Sequence, residues 1–114
     1  MREDMSRMIR IGRTARLKPD GLEGYQRLHT AVWPQIKEVL KKAGIRNYSI
    51  FCADGLLFSY YEVEERNLGQ IEKMWAENQI CAEWEAEADR FREPWNPQTS
   101  QDIWKDMEPV FYLE

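Results

Sequence analysis

IRNYSIFCADGLLFSYYEV, residues 45–63, is the stretch that decides the fold. Two runs dense in β-branched, aromatic and aliphatic residues, 45–52 and 56–63, flank Ala53-Asp54-Gly55. Such runs read as strands, and a short Gly-containing link between them reads as a hairpin, with Gly55 free to take positive φ. The runs do not alternate cleanly. Tyr48, Ile50 and Phe51 in the first, and Leu57, Phe58, Tyr60 and Tyr61 in the second, put apolar side chains on both faces. An antiparallel sheet with one wet face alternates, so this hairpin needs cover on both sides. Helices supply one cover. In a chain of 114 residues the other is expected from a second protomer.

Upstream, MIRIGRTARL (8–17) does alternate: Ile9, Ile11, Ala15 and Leu17 against Arg10, Gly12, Thr14 and Arg16. It reads as a strand, ended by Lys18-Pro19-Asp20-Gly21. From Leu22 to Lys42 the period becomes helical through Leu22, Tyr25, His29, Val32, Ile36, Val39 and Leu40. Asp20 is the expected N-cap. Pro34 breaks the run, because proline inside a helix clashes with the carbonyl four residues back, and a second helix starts at it. Gly44 ends that helix. Downstream of the hairpin, 67–78 and 80–93 read as helices, the second with an apolar stripe of Ile80, Trp84, Ala88 and Phe91 and an acidic face taken as solvated. Residues 93–102 form a loop, and EPVFYLE (108–114) reads as a terminal strand. The order β-α-β-β-α-β predicts a ferredoxin-like α+β sandwich. Residues 1–7 read as a polar tail, with Met8 an alternative start, and 8–114 as one domain.

Composition narrows the function. Net charge is −4 and the basic residues are scattered among acids, so no nucleic-acid partner is expected. No apolar run approaches the roughly 18 residues of a membrane span, and no signal peptide is legible, so cytoplasm is the expected location. Cys52 and Cys81 lack metal or redox spacing and a basic neighbour, which argues against thiol catalysis and leaves them reduced thiols. With one histidine, a metal site has few ligands.

That histidine, His29, lies four residues after Tyr25 and four before Trp33, on an apolar face. Imidazole is the usual proton carrier near pH 7, a phenol holds a hydroxyl, and aromatic rings match the C–H faces of sugars. The same pattern also fits a core histidine among core aromatics, and both readings stand at this point.

The motifs, taken in order, resemble those of the L-rhamnose mutarotases. YQRLHTAVWP (25–34) is similar to the family's Y-x-x-x-H-x-x-x-W-P signature, RNYSIF (46–51) to its N-Y-x-I stretch, and LLFSYYEVE (56–64) to its L-L-F strand. CAEW (81–84) is similar to its C-x-x-W helix and VFYLE (110–114) to its V-F-Y-L terminus. The resemblance implies a dimeric α/β barrel, with two protomer sheets packed face to face, and a cofactor-free, metal-free isomerase that exchanges the α and β anomers of L-rhamnose or a related deoxyhexose. It places the proton-transferring histidine at His29 and substrate contacts at Tyr25, Tyr48 and Trp84. Glu85 stands at a substrate-binding position where the best-known members carry a second tryptophan, and the loop around Trp95 and Trp104 also departs from the family pattern. Two other classes fit the same residues: a different dimeric-barrel enzyme, such as a monooxygenase or a haem protein with His29 as axial ligand, and a non-catalytic sugar-binding or regulatory module.

Overall fold

The structure, a computed structural model, describes residues 7–114. Of the expected tail only Arg7 falls among them; it is tied to Glu65 through a backbone hydrogen bond of 2.8 Å and an ion pair of 3.2 Å. The elements in chain order are β1 (Met8–Leu17), α1 (Leu22–His29), α2 (Pro34–Lys42), β2 (Arg46–Ala53), β3 (Leu56–Glu64), a 3-10 turn (Glu65–Asn67), α3 (Leu68–Glu77), α4 (Gln79–Ala88), β4 (Arg92–Glu93) and β5 (Lys105–Met107).

The strands form one antiparallel sheet in the order β2-β3-β1, with β4 and β5 both pairing along the free edge of β1. This is the ferredoxin-like arrangement the element order predicts. The hairpin closes Ala53 on Leu56, leaving Asp54 (φ +53°) and Gly55 (φ +77°) as a two-residue loop. Both central residues with positive φ define the type I′ turn, whose twist matches that of the strands. In β2 the register slips between Arg46 and Ser49, a bulge that contains Asn47 at φ +52°.

The break at Pro34 falls as expected. α1 stops at His29, residues 30–33 turn, and Pro34 opens α2. Gly44 (φ +83°) then ends α2 in a Schellman motif, its own N–H bonding Lys41 O at 3.0 Å and that of Ile45 bonding Leu40 O at 3.0 Å. Asp20 does not cap α1. The chain turns through it at φ +62°, Gly21 takes the cap position, and no side chain caps the helix. Asn78 caps α4, its Oδ1 accepting from the N–H groups of Ile80 (2.8 Å) and Cys81 (3.2 Å).

The helices cover one face of the sheet. Ala15, Leu17 and Leu57 from the strands pack with Tyr25 of α1 and Ala88 of α4, and a second cluster joins Ile36, Cys81 and Trp84. Gly24 lets α1 sit directly on Phe91, since a Cβ there would overlap the ring. Leu22, read as core, is instead 40% exposed. On the opposite face Phe58 pairs in register with Phe51, which is 65% exposed. Among the described residues Phe51 stands open on that face, while Phe58 and Tyr60 are half-buried.

Two expectations fail near the end of the chain. α4 stops at Ala88, not at residue 93; the chain turns through 89–91, and Arg92 and Glu93 form β4. The terminal strand lies at Lys105–Met107, and 108–114 are not a strand. Pro109 has no N–H to give a ladder. Past it, Tyr112 lies under the Arg10 guanidinium, 3.4 Å from its carbon to the ring centre, while Val110, Phe111 and Leu113 stand at least 79% exposed.

Candidate active site

A cleft of about 450 Å³ opens between the helices and the sheet. It brings together all five residues singled out from the sequence: Tyr25, His29, Tyr48, Trp84 and Glu85. Its wall also holds Arg92 and Trp104, which the sequence reading did not place there.

His29 owes its position to the helix break. It is the last residue of α1, half-buried, and its Nδ1 lies 2.9 Å from the carbonyl oxygen of Tyr25. A carbonyl only accepts, so Nδ1 carries the hydrogen and donates it. In the neutral ring Nε2 is then a free lone pair. Burial lowers the His29 pKa from its ordinary value; the bond to the Tyr25 carbonyl opposes this, Arg92 adds to the lowering and Glu85 opposes it. The imidazole is therefore mainly neutral at pH 7, a base in waiting.

Aromatic rings frame it. The Tyr25 ring centre is 4.3 Å from that of His29, Trp84 meets the imidazole edge-on at 5.4 Å, and Trp33 meets Trp84 edge-on at 5.2 Å. Trp84 is both wall and core, being 6% exposed and packed with Ile36 and Cys81. Across the cleft Tyr48 leans on Tyr61 with ring centres 5.4 Å apart. The Tyr48 residue is 43% exposed, but its hydroxyl is crowded by protein and its pKa is raised. Burial also raises that of Tyr25, countered in part by Arg92. Both phenols keep their protons at physiological pH. The Tyr25 hydroxyl is buried, and the charged group that acts on it most is the Arg92 guanidinium.

The acidic side of α4 is not simply solvated. The guanidinium of Arg92, 4% exposed, donates from Nη2 to Glu85 Oε2 at 2.7 Å and from Nε to Asp89 Oδ1 at 2.9 Å. Glu85, Asp89 and Arg92 stand at i, i+4 and i+7, one face of a continued helix. That spacing was the legible signal, and the burial of the arginine was not. Cys52 and Cys81 are free thiols, Cys81 buried in the second core cluster.

The family model for L-rhamnose mutarotase matches residues 10–113 of this chain. The chain belongs to the L-rhamnose mutarotase family. The L-rhamnose mutarotase of Pectobacterium carotovorum subsp. carotovorum is 37% identical over 112 residues, covering 94% of this chain and all of the relative. That of Lactiplantibacillus plantarum is 35% identical over 113 residues with the same coverage. Among solved structures, the L-rhamnose mutarotase FA22100 from Formosa agariphila superposes with a TM-score of 0.74 at 27% identity, covering 93% of this chain and 99% of that one. Tetracenomycin F2 cyclase from Streptomyces glaucescens superposes at 0.69 with 12% identity and coverage of 93% and 99%, a likeness of fold alone. Mutarotases are isomerases that exchange the anomers of a sugar, so membership makes this chain a sugar isomerase by family. No helix among the described residues is long and apolar enough to cross a membrane.

Proposed function

We propose that this chain is an L-rhamnose mutarotase acting through His29, and that residues 8–114 work as one domain. The carrying observation is the 2.9 Å approach of His29 Nδ1 to the Tyr25 carbonyl, which commits Nδ1 and leaves Nε2 for substrate, in a residue that lines a cleft with Tyr25, Tyr48, Trp84 and Glu85. Neutral His29 takes the proton of the anomeric hydroxyl on Nε2 while the bond from C1 to the ring oxygen breaks and C1 becomes an aldehyde carbon. The imidazolium so formed gives its proton to the ring oxygen. The aldehyde turns about C1–C2, and the same two transfers in reverse close the ring on the other carbonyl face. A group with a pKa near neutrality serves both directions, because each state is reached at little cost. Trp84 lies against the apolar face of the sugar, and the tyrosine hydroxyls and Glu85 bind its polar edge.

The protein is further proposed to work as a homodimer in the cytoplasm. The exposed Phe51 on the sheet and the exposed Val110, Phe111 and Leu113 support the dimer. Two free cysteines accord with a reducing compartment.

The test is saturation-transfer NMR between the anomers of L-rhamnose. Wild-type protein should speed exchange, and His29→Ala should slow it by roughly 100-fold or more. Sugar binding without faster exchange would turn the reading toward a non-catalytic module.

A further inference from the structure

Arg92 is the least expected residue of the cleft. Its guanidinium is buried, yet it offers five N–H donors, and among the described residues Glu85 and Asp89 take two of these. Two carboxylates around one guanidinium leave the cluster at a net charge of −1. Beside it stands the buried hydroxyl of Tyr25, on which the Arg92 guanidinium acts directly, a second polar group on the same cleft wall. A buried ion pair is weak evidence of stabilisation, since apolar residues of similar volume commonly do as well in its place. What apolar residues do not supply is polar recognition inside an aromatic cleft.

The chemistry of the pair is specific. Glu85 commits Oε2 to Arg92 and keeps Oε1 as an acceptor, while Arg92 keeps its Nη1 donors. A carboxylate that accepts beside a guanidinium that donates matches two neighbouring hydroxyls, one giving its proton and the other receiving one. The surplus negative charge opposes a carboxylate or phosphate on the ligand.

We propose that Arg92 and Glu85 form a hydroxyl clamp that sets the sugar specificity of the cleft, selecting a neutral pyranose with adjacent hydroxyls away from the anomeric carbon. This rests on the mutarotase reading and adds to it a specificity-determining pair. Asp89 acts as a positioning residue that holds the guanidinium by Nε.

The experiment compares wild type, Glu85→Ala and Arg92→Lys on L-rhamnose and its 2-, 3- and 4-deoxy analogues. Exchange is followed by saturation-transfer NMR, binding by calorimetry, and folding by urea denaturation. Wild type should disfavour at least one deoxy analogue by 10-fold or more. A site built to hydrogen-bond a hydroxyl rejects the ligand that lacks it. Glu85→Ala should raise KM for L-rhamnose by roughly 10-fold or more, with the loss falling on KM, and should erase the discrimination. Arg92→Lys keeps the charge but not the fork, and should lose the same discrimination. A folded Glu85→Ala protein with unchanged KM and an unchanged deoxy profile overturns the clamp. So does a loss of stability in both variants with the profile intact, which is the signature of a purely structural staple. If wild type exchanges no sugar, the mutarotase reading fails, and the calorimetric deoxy profile still decides the clamp.

Discussion

His29→Asn separates proton transfer from everything else His29 does. An asparagine amide carries an N–H at nearly the place of Nδ1, so the hydrogen bond to the Tyr25 carbonyl survives. The edge contact with Trp84 is lost, an aromatic pair worth about 0.5–1.5 kcal/mol. Stability should therefore fall by about 1–2 kcal/mol, which a domain of this size tolerates. The rate is another matter, because asparagine has nothing at Nε2 that titrates. Loss of a proton-transfer group costs about 100-fold or more, and 100-fold is about 2.7 kcal/mol of barrier. The pH profile is diagnostic. Burial lowers the His29 pKa below its unfolded value, so kcat/KM of the wild type should rise through a midpoint under 6.5 and stay flat to pH 8. Between the folded and unfolded pKa values the unfolded chain binds more protons, so wild-type stability drops as pH falls through that window. His29→Asn should lack both the rate limb and this share of the stability loss. Anomer exchange by NMR from pH 5 to 8, with urea midpoints at each pH, reads both. A folded variant that matches the wild-type rate, or a wild-type limb centred above 6.5, would refute the neutral-base reasoning.

Trp84→Ala should cost about 3–5 kcal/mol of stability, since the ring is buried against Ile36 and Cys81 as well as facing the cleft; a urea-denaturation loss under 1 kcal/mol would mean the ring is pocket wall only. Gly24→Ala should destabilise despite a helix-propensity gain of about 1 kcal/mol, because the methyl meets Phe91 and overpacking costs about 1–3 kcal/mol; a raised melting temperature would show that the ring yields freely. Light scattering should report a dimer at micromolar concentration, and truncation after Met107 should weaken it, while a stable wild-type monomer would remove the dimer proposal.

What the sequence disclosed was set by short-range causes. Pro34, Gly55 and Gly44 each act within a turn of chain, so the helix break, a short hairpin and the end of the second helix were readable from residue type alone, while the positive φ of Asp54 that makes the turn type I′ was not. The failures sit where a distant partner decides. Arg92 leaves the helix to pair as β4 with Leu17, and β5 is placed by residues 12–14, neither of which local periodicity reports. Asp20 looked like a cap because its side chain suits one, but the turn carries the chain through it in the left-handed region. At the site, spacing put Tyr25 and His29 on one helix face and Trp84 on an apolar stripe, a pattern that fits core as well as cleft, and the resemblance to the mutarotases named them as site residues. Arg92 was not, because a charged residue among acids reads as surface until its burial is seen.

The pairing of β1 with β5 has a consequence for the order in which the protein can be completed. Gly12, Arg13 and Thr14 bond to Met107, Asp106 and Lys105, a separation of some ninety residues. During synthesis the hairpin of β2 and β3 and its pairing with β1 can form early, but this edge of β1 stays open until the last part of the chain has emerged. Closing so long a loop is slow relative to local helix and hairpin formation. A chain in which residues 105–107 have yet to emerge should therefore carry a sheet with one sticky edge, and their arrival is the step that seals it.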